Sequence, residues 1–266
     1  MSVDVLGLWN FGDPELSERR FRAALEGAEG DDRLVLLTQI ARSYGLRRDF
    51  EGARAVLSEV EAELSSSGPE PKARYWLELG RTYCSAAHTP ETQTSDAIEL
   101  ARGAYTRAFE IAQAARLDYL SIDALHMMTM VDTGAESQIE WNRRALSYME
   151  RSDQAEAKKW EGSLRNNLGY ALHLAGRYDE ALVEFEKALA LRISSGNVGG
   201  TRVGKWMIAW TLRAMGRYQE ALEMQLALDE EYEEAGESDP YVRAELEHLY
   251  RALGDEERAE SYASKA

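Results

Sequence analysis

Residues 174–182 read "LAGRYDEAL" and residues 214–222 read "AMGRYQEAL", so one phrase returns with six of its nine letters kept. The copies start at 174 and 214, a spacing of 40 residues. Self-similarity at a period of roughly 20 to 50 residues marks stacked supersecondary units, each too small to bury its own apolar face. A stack grows by adding units, so the 266 residues need not divide into ordinary domains as length alone suggests.

The residues around the phrase say what each unit is made of. Leu, Ala, Glu and Arg dominate, all strong helix formers, and no segment alternates apolar and polar residues with a strand's period. Pro14, Pro90 and Pro240 follow Asp13, Thr89 and Asp239. Those three residues are good N-caps, and proline suits the first position of a helix. The stretch "SSSGPEP" at 65–71 reads as a linker. The class is all-α, with about thirteen helices. An N-terminal segment with a capping helix takes residues 1–30. A repeat domain over 31–266 then divides into helix pairs at 31–66, 71–114, 117–150, 154–195, 198–236 and 240–265.

Composition narrows the function. Apolar residues make up 44%, enough to build an interior, while 31 Lys and Arg stand against 47 Asp and Glu for a net charge of −16. Phosphate backbones repel such a chain, so nucleic acid is not an expected partner. Cys84 is the single cysteine, which excludes an intramolecular disulfide and a Cys-based zinc site. The opening "MSVDVLGLWN" has no basic flank before its apolar run and does not read as a signal peptide. No apolar stretch approaches the roughly 20 residues of a membrane span. The expectation is a soluble cytoplasmic protein with no membrane contact.

The sequence resembles the tetratricopeptide repeat (TPR), whose first helix reads W-x2-L-G-x2-Y and whose second carries A-x3-F. Trp76, Leu79, Gly80 and Tyr83 match the first half in full, and Leu168, Gly169, Ala181 and Phe185 match parts of both. Turns appear as Gly176-Arg177-Tyr178, Gly216-Arg217-Tyr218 and Gly254-Asp255-Glu256, with a degenerate copy in "RRDFEGAR" at 47–54. Gly80 and Gly169 are read as close approaches of paired helices, and Ala181 and Ala221 as seats for small side chains. Two departures stand out. The motif's closing proline is missing, and the 40-residue spacing exceeds the usual period of about 34. Longer helices or longer loops must absorb the difference. In this the chain looks like the long-helix TPRs of bacterial peptide-responsive regulators and kinesin light chains. An insertion, "SAAHTPETQTSDA" at 85–97, interrupts the second pair. The resemblance implies a right-handed α-solenoid whose first helices line a concave groove.

Catalytic constellations are missing from the sequence. There is no GxGxxG, no GxxxxGK[ST] and no HExxH. His88, His126, His173 and His248 fall in different repeats, with no close pair to hold a metal. Cys84 reads as a small buried hydrophobe. No cofactor, no metal and no enzymatic activity are expected.

The groove offers more. With Leu168, Gly169 and Leu172 on the packing side, Asn166, Tyr170 and His173 share the other side of their helix. The same offset selects Trp206, Trp210 and Arg213 with Val203 a turn earlier, then Ala244, His248 and Arg251 with Tyr241 a turn earlier. Toward the N-terminus it selects Thr38 and Arg42, Leu77 and Arg81, then Asp123, Met127 and Met130. Aromatic residues, Met and Arg are enriched at interfaces and acids depleted, and Asp123 is the stripe's single acid. Whether Trp206 and Trp210 face the groove or the helix seam stays open. The expected function is non-catalytic binding of a protein or peptide, an acidic one if Arg42, Arg81, Arg213 and Arg251 are free. Two alternatives remain, a peptide-sensing regulator and a homo-oligomeric scaffold built on residues such as Trp9 and Phe11.

Overall fold

The structure is a computed structural model and describes residues 3–264. Residue 265, the expected end of the last pair, lies outside the described residues. Among these there are helices and turns and no strand. The described residues fall into two compact units, one of residues 3–133 with 147–158 and one of residues 134–146 with 159–264.

The first unit holds α1 (Val5–Leu8), α2 (Pro14–Leu25), α3 (Gly30–Leu46), α4 (Phe50–Glu61), α5 (Pro69–Arg81), α6 (Ser95–Ala114) and α7 (Asp118–Val131). Next come α8 (Ala135–Arg151), whose residues divide between the units, and α9 (Ala155–Lys158). Asp13 caps α2 by accepting from the Leu16 amide at 2.9 Å, with Pro14 at the first helical position. Pro90 departs from that pattern. It opens only a short 3-10 turn, and α6 starts at Ser95, capped by Thr94. The linker is likewise shorter than its composition suggests, because α5 begins at Pro69.

Trp9, which has no repeat of its own, is buried. It stacks on Phe11 at 4.8 Å, meets Phe21 edge-on, and donates its Nε1–H to Gln39 at 3.0 Å. Phe11 stays exposed. An indole needs a partner for its N–H when buried, and Gln39 supplies it here. Trp9 is therefore part of the first unit's core and is not the exposed apolar residue that the scaffold alternative expected, whereas Phe11 is exposed.

The second unit holds α10 (Glu161–Leu174), α11 (Tyr178–Ser194), α12 (Val198–Ala214), α13 (Tyr218–Glu234), α14 (Pro240–Ala252) and α15 (Glu256–Ala263). Each packs on the next, and α10 touches α12 as α12 touches α14. In the first unit α3, α5 and α7 make the same alternate contacts. Helices α11, α12 and α13 each have 17 residues, joined by residues 195–197 and 215–217. The long repeat is thus absorbed in the helices, not in the loops.

The repeated "GRY" phrase is a tight turn. Gly176 and Gly216 take φ of +74° and +76°, a region open to glycine at little cost. Its degenerate copy puts Arg48 at φ +63° instead. Gly169 and Gly80 are close approaches, as expected. A Cβ on Gly169 would lie 2.7 Å from the Phe185 ring, and one on Gly80 would lie 2.5 Å from the Tyr105 ring. Ala181 and Ala221 are fully buried.

Candidate functional site

The expected stripe is two different arrangements, one in each unit. In the first unit, Arg42 of α3, Arg81 of α5 and Asp123 of α7 meet, joined by Glu78 of α5. Arg81 reaches Glu78 and Asp123, both at 2.5 Å. Arg42 lies 4.0 Å from Glu78 and 3.9 Å from Asp123. Two guanidinium groups and two carboxylates cancel. Burial and the neighbouring Arg81 push the Arg42 pKa down, and burial pushes Glu78 up. Burial opposes ionisation of Asp123 as well, yet Arg81 and Arg42 hold its carboxyl below the usual carboxylate range. On the remaining side, Trp9 and Phe11 lie 5.5 and 5.3 Å from the Arg42 guanidinium carbon, within cation–π range. Arg42 and Arg81 are therefore not free groove cations. Thr38, Leu77, Asp123 and Met127 are buried too. The sequence pointed to Arg81 and missed Glu78, although a spacing of three places both on one helix face.

In the second unit the stripe is aromatic and partly open. The Tyr170 ring stacks on Trp210 at 5.9 Å, Trp210 on Trp206 at 5.7 Å, and Trp206 meets Tyr241 edge-on at 6.4 Å. These side chains come from α10, α12 and α14, so the ladder crosses three successive alternate helices. Its ends are exposed, with Tyr170 at 42% and Tyr241 at 71%, while Trp206 and Trp210 are half-buried. Neither reading of the two tryptophans is complete. Each packs against its neighbours along one face and leaves an edge uncovered. Asn166 Oδ1 and Trp206 Nε1 on this stripe are buried without a hydrogen-bond partner among the described residues.

His173 lies beneath the ladder, buried and stacked on Trp210 with ring centroids 3.3 Å apart. Its Nδ1 is 3.0 Å from Thr211 Oγ1, which donates to the Met207 carbonyl at 2.8 Å. With the Thr211 proton so placed, the imidazole carries its proton on Nδ1 and donates to Thr211. Burial, helped by Arg213, pushes its pKa down to about 4. His173 is accordingly a neutral support for Trp210 and not a surface contact. Arg213 is held bidentately by Glu245 at 2.6 and 2.9 Å. Arg251 is exposed but pairs with Glu247 at 2.8 Å, and His248 is exposed. All four arginines of the stripe thus have carboxylate partners inside the protein. Asp123 lies on the stripe itself, whereas Glu78, Glu245 and Glu247 sit on neighbouring positions or a neighbouring helix and so escape a reading of one stripe.

Beside Trp206 lies a cavity of about 260 Å³ between α12, α13 and α14, open at Val203 and Tyr241. Among the described residues no three His, Cys, Asp or Glu side chains cluster as metal ligands. No helix there is long and apolar enough to cross a membrane. Cys84 is buried, its thiol pKa pushed up by burial and its Sγ 3.3 Å from the Met130 carbonyl. A thiol so placed is protonated and a poor nucleophile.

Residues 160–227 match the tetratricopeptide repeat family. No curated protein matches the sequence. Among solved structures, the chain is similar to a signal transduction ATPase with numerous domains and a tetratricopeptide repeat sensor, from Pyrococcus horikoshii. The two share 13% identity at a TM-score of 0.70, over 96% of this chain but only 38% of that one. The apo form of RapI is similar at 14% identity and TM-score 0.70, over 98% of this chain and 74% of its own. NprR in complex with its cognate peptide NprX is similar at 15% identity and TM-score 0.54, over 98% and 75%. Identities this low speak for the fold. The fold is that of the TPR solenoids.

Proposed function

We propose that this chain, with the fold of a TPR solenoid, is a non-catalytic binding protein that holds a peptide or an extended protein segment on its aromatic ladder. The observation that carries the reading is the run Tyr170–Trp210–Trp206–Tyr241, stacked across three helices with both ends exposed. Aromatic side chains are the usual anchors of interface energy, because they bury large rigid surfaces at low entropic cost. The stripe's arginines already have carboxylate partners. An apolar or aromatic segment therefore suits this face better than the acidic ligand their number suggested.

A second reading, a peptide-sensing regulator, draws support from NprR, whose structure holds its cognate peptide. It differs only in what binding is used for, and it places the ligand on the same face.

The test is a selection of random peptides on the full chain, followed by titration of an enriched peptide against Tyr170→Ala and Tyr241→Ala. Both side chains are exposed enough for their loss to leave the fold in place. The expected result is an affinity loss of about tenfold or more for at least one of them, equivalent to roughly 1.4 kcal/mol. Enriched peptides whose affinity ignores both changes would show that the ladder is not the binding face.

A further inference from the structure

The insertion that interrupts the second helix pair lies in the first unit and takes no part in the ladder. It joins α5 to α6 largely as turns, with a short 3-10 stretch at Pro90–Thr92. His88 ties it down. The imidazole folds back on Phe50 of α4, with ring centroids 3.9 Å apart and planes 14° apart. Its Nε2 lies 3.2 Å from the carbonyl of Thr82, the C-cap of α5. Its Nδ1 receives the Ser85 amide N–H at 3.2 Å, with Ser85 Oγ at 3.1 Å. A carbonyl oxygen only accepts and an amide N–H only donates. Together the two contacts leave one arrangement of protons, with the hydrogen on Nε2 and a lone pair on Nδ1. The pinned ring is therefore neutral.

We propose that His88 is a pH-sensitive latch. In its neutral form it holds the insertion against α4 and the end of α5, and its protonation releases residues 85–94. An imidazolium carries a proton on both nitrogens. The Ser85 hydroxyl can turn to accept from the new Nδ1–H, but the Ser85 amide cannot, and that bond is lost. The charged group facing the ring is Arg54 of α4, which donates to the same Thr82 carbonyl at 3.3 Å and repels a second cation. From the end of α5 and from the insertion the ring meets the uncharged Thr82 and Ser85. Burial, and Arg54 after it, hold the His88 pKa below the ordinary histidine value. A released ring titrates near that ordinary value, about 6.5. The proton therefore favours the released state. The latch is complete above about 6.5 and is lost as pH falls through the lower, pinned value. Release also uncovers the face of Phe50 on which the ring lies. The proposal is independent of the ladder and of what binds there.

Nuclear magnetic resonance on the full chain tests it between about pH 8 and about pH 5, the range in which histidine changes charge. Long-range proton–nitrogen correlations read the His88 tautomer, and backbone relaxation reads the order of residues 85–94. At the upper pH the proton is expected on Nε2, with order parameters near the roughly 0.85 of rigid backbone. As the imidazole titrates, the insertion should fall below about 0.6 at the same midpoint, while α5 and α6 stay rigid. His88→Asn keeps an acceptor where Nδ1 stands and has no proton to gain, so its insertion should stay ordered throughout. His88→Ala should leave the insertion mobile at every pH. A proton found on Nδ1 at the upper pH, or an insertion whose order ignores the His88 titration, would overturn the latch. Loosening of His88→Asn at the wild-type midpoint would overturn it too, by assigning the release to another group. A His88→Asn insertion mobile at every pH would show that stacking on Phe50, and not the Nδ1 acceptor, holds the segment, which also overturns the switch.

Discussion

Helices α3, α5 and α7 of the first unit and α10, α12 and α14 of the second occupy the same places in their repeats, yet their facing side chains have opposite chemistry. The first set closes over a neutral quartet of Arg42, Glu78, Arg81 and Asp123, with Trp9 and Phe11 laid on Arg42. The second carries Tyr170, Trp210, Trp206 and Tyr241 with exposed ends and a cavity alongside. Helical spacing decides which positions share a face. Partners decide whether that face is free. A charged stripe that finds its counterions becomes interior, whereas an aromatic stripe can only cover itself in part.

The largest effect is expected at Asp123. Removing one member of a buried ion cluster leaves the others uncompensated, at a cost of about 3–5 kcal/mol. Asp123→Ala should lower unfolding stability by that amount in a denaturant titration. A loss under about 1 kcal/mol would mean that water reaches the quartet and the face is open after all.

Next in size are the two glycine contacts, which should behave alike if the units share one construction. Gly80→Leu and Gly169→Leu each drive a side chain into a buried ring, Tyr105 in one case and Phe185 in the other. Overpacking of this kind costs roughly 1–3 kcal/mol and sometimes more. Thermal unfolding of both variants checks it, and Phe185→Leu should recover part of the loss caused by Gly169→Ala.

A pH dependence should mark the second unit. Unfolded histidine titrates near 6.5, whereas folded His173 titrates at about 4. Between those values the unfolded chain binds the extra proton. The stabilisation present above pH 6.5 is therefore lost as pH falls toward 4. Stability curves of wild type and His173→Gln should converge over that window. Parallel curves would show that His173 is not held neutral under Trp210.

The smallest effect is expected in the turns. Arg48 holds φ +63° where the second unit has Gly176 at +74°. A side chain in the left-handed region is strained by about 1–2 kcal/mol, partly offset by the larger unfolded-state entropy of glycine. Arg48→Gly should raise stability by about 0.5–1 kcal/mol and Gly176→Ala should lower it, both read from denaturation midpoints. A fall on Arg48→Gly would mean that the arginine's own contacts outweigh its backbone strain.

Much of this could be read from the residues. The repeated "GRY" turns, the glycines at 80 and 169 and the alanines at 181 and 221 are local or pairwise constraints, set by backbone freedom and side-chain volume. They are written directly in the letters. Tyr170, Trp206, Trp210 and Tyr241 make a continuous run of ring contacts, as the helical offset predicts, because α-helical period is a property of the chain itself. The expected free groove contacts are not found at Arg42, Arg81, Arg213 and Arg251, which are ion-paired, nor at Met127 and His173, which are buried.

The sequence by itself determined an all-α chain of long helix pairs, since helix propensity, capping and turn chemistry act over a few residues. Only the tertiary structure decided which stripe stays open. Glu78 meets Arg42, Asp123 meets Arg81, Glu245 meets Arg213 and Thr211 meets His173, each on another helix and 32 to 42 positions away in the chain. Charge neutralisation and ring stacking depend on distance in space, and no spacing along one helix encodes that.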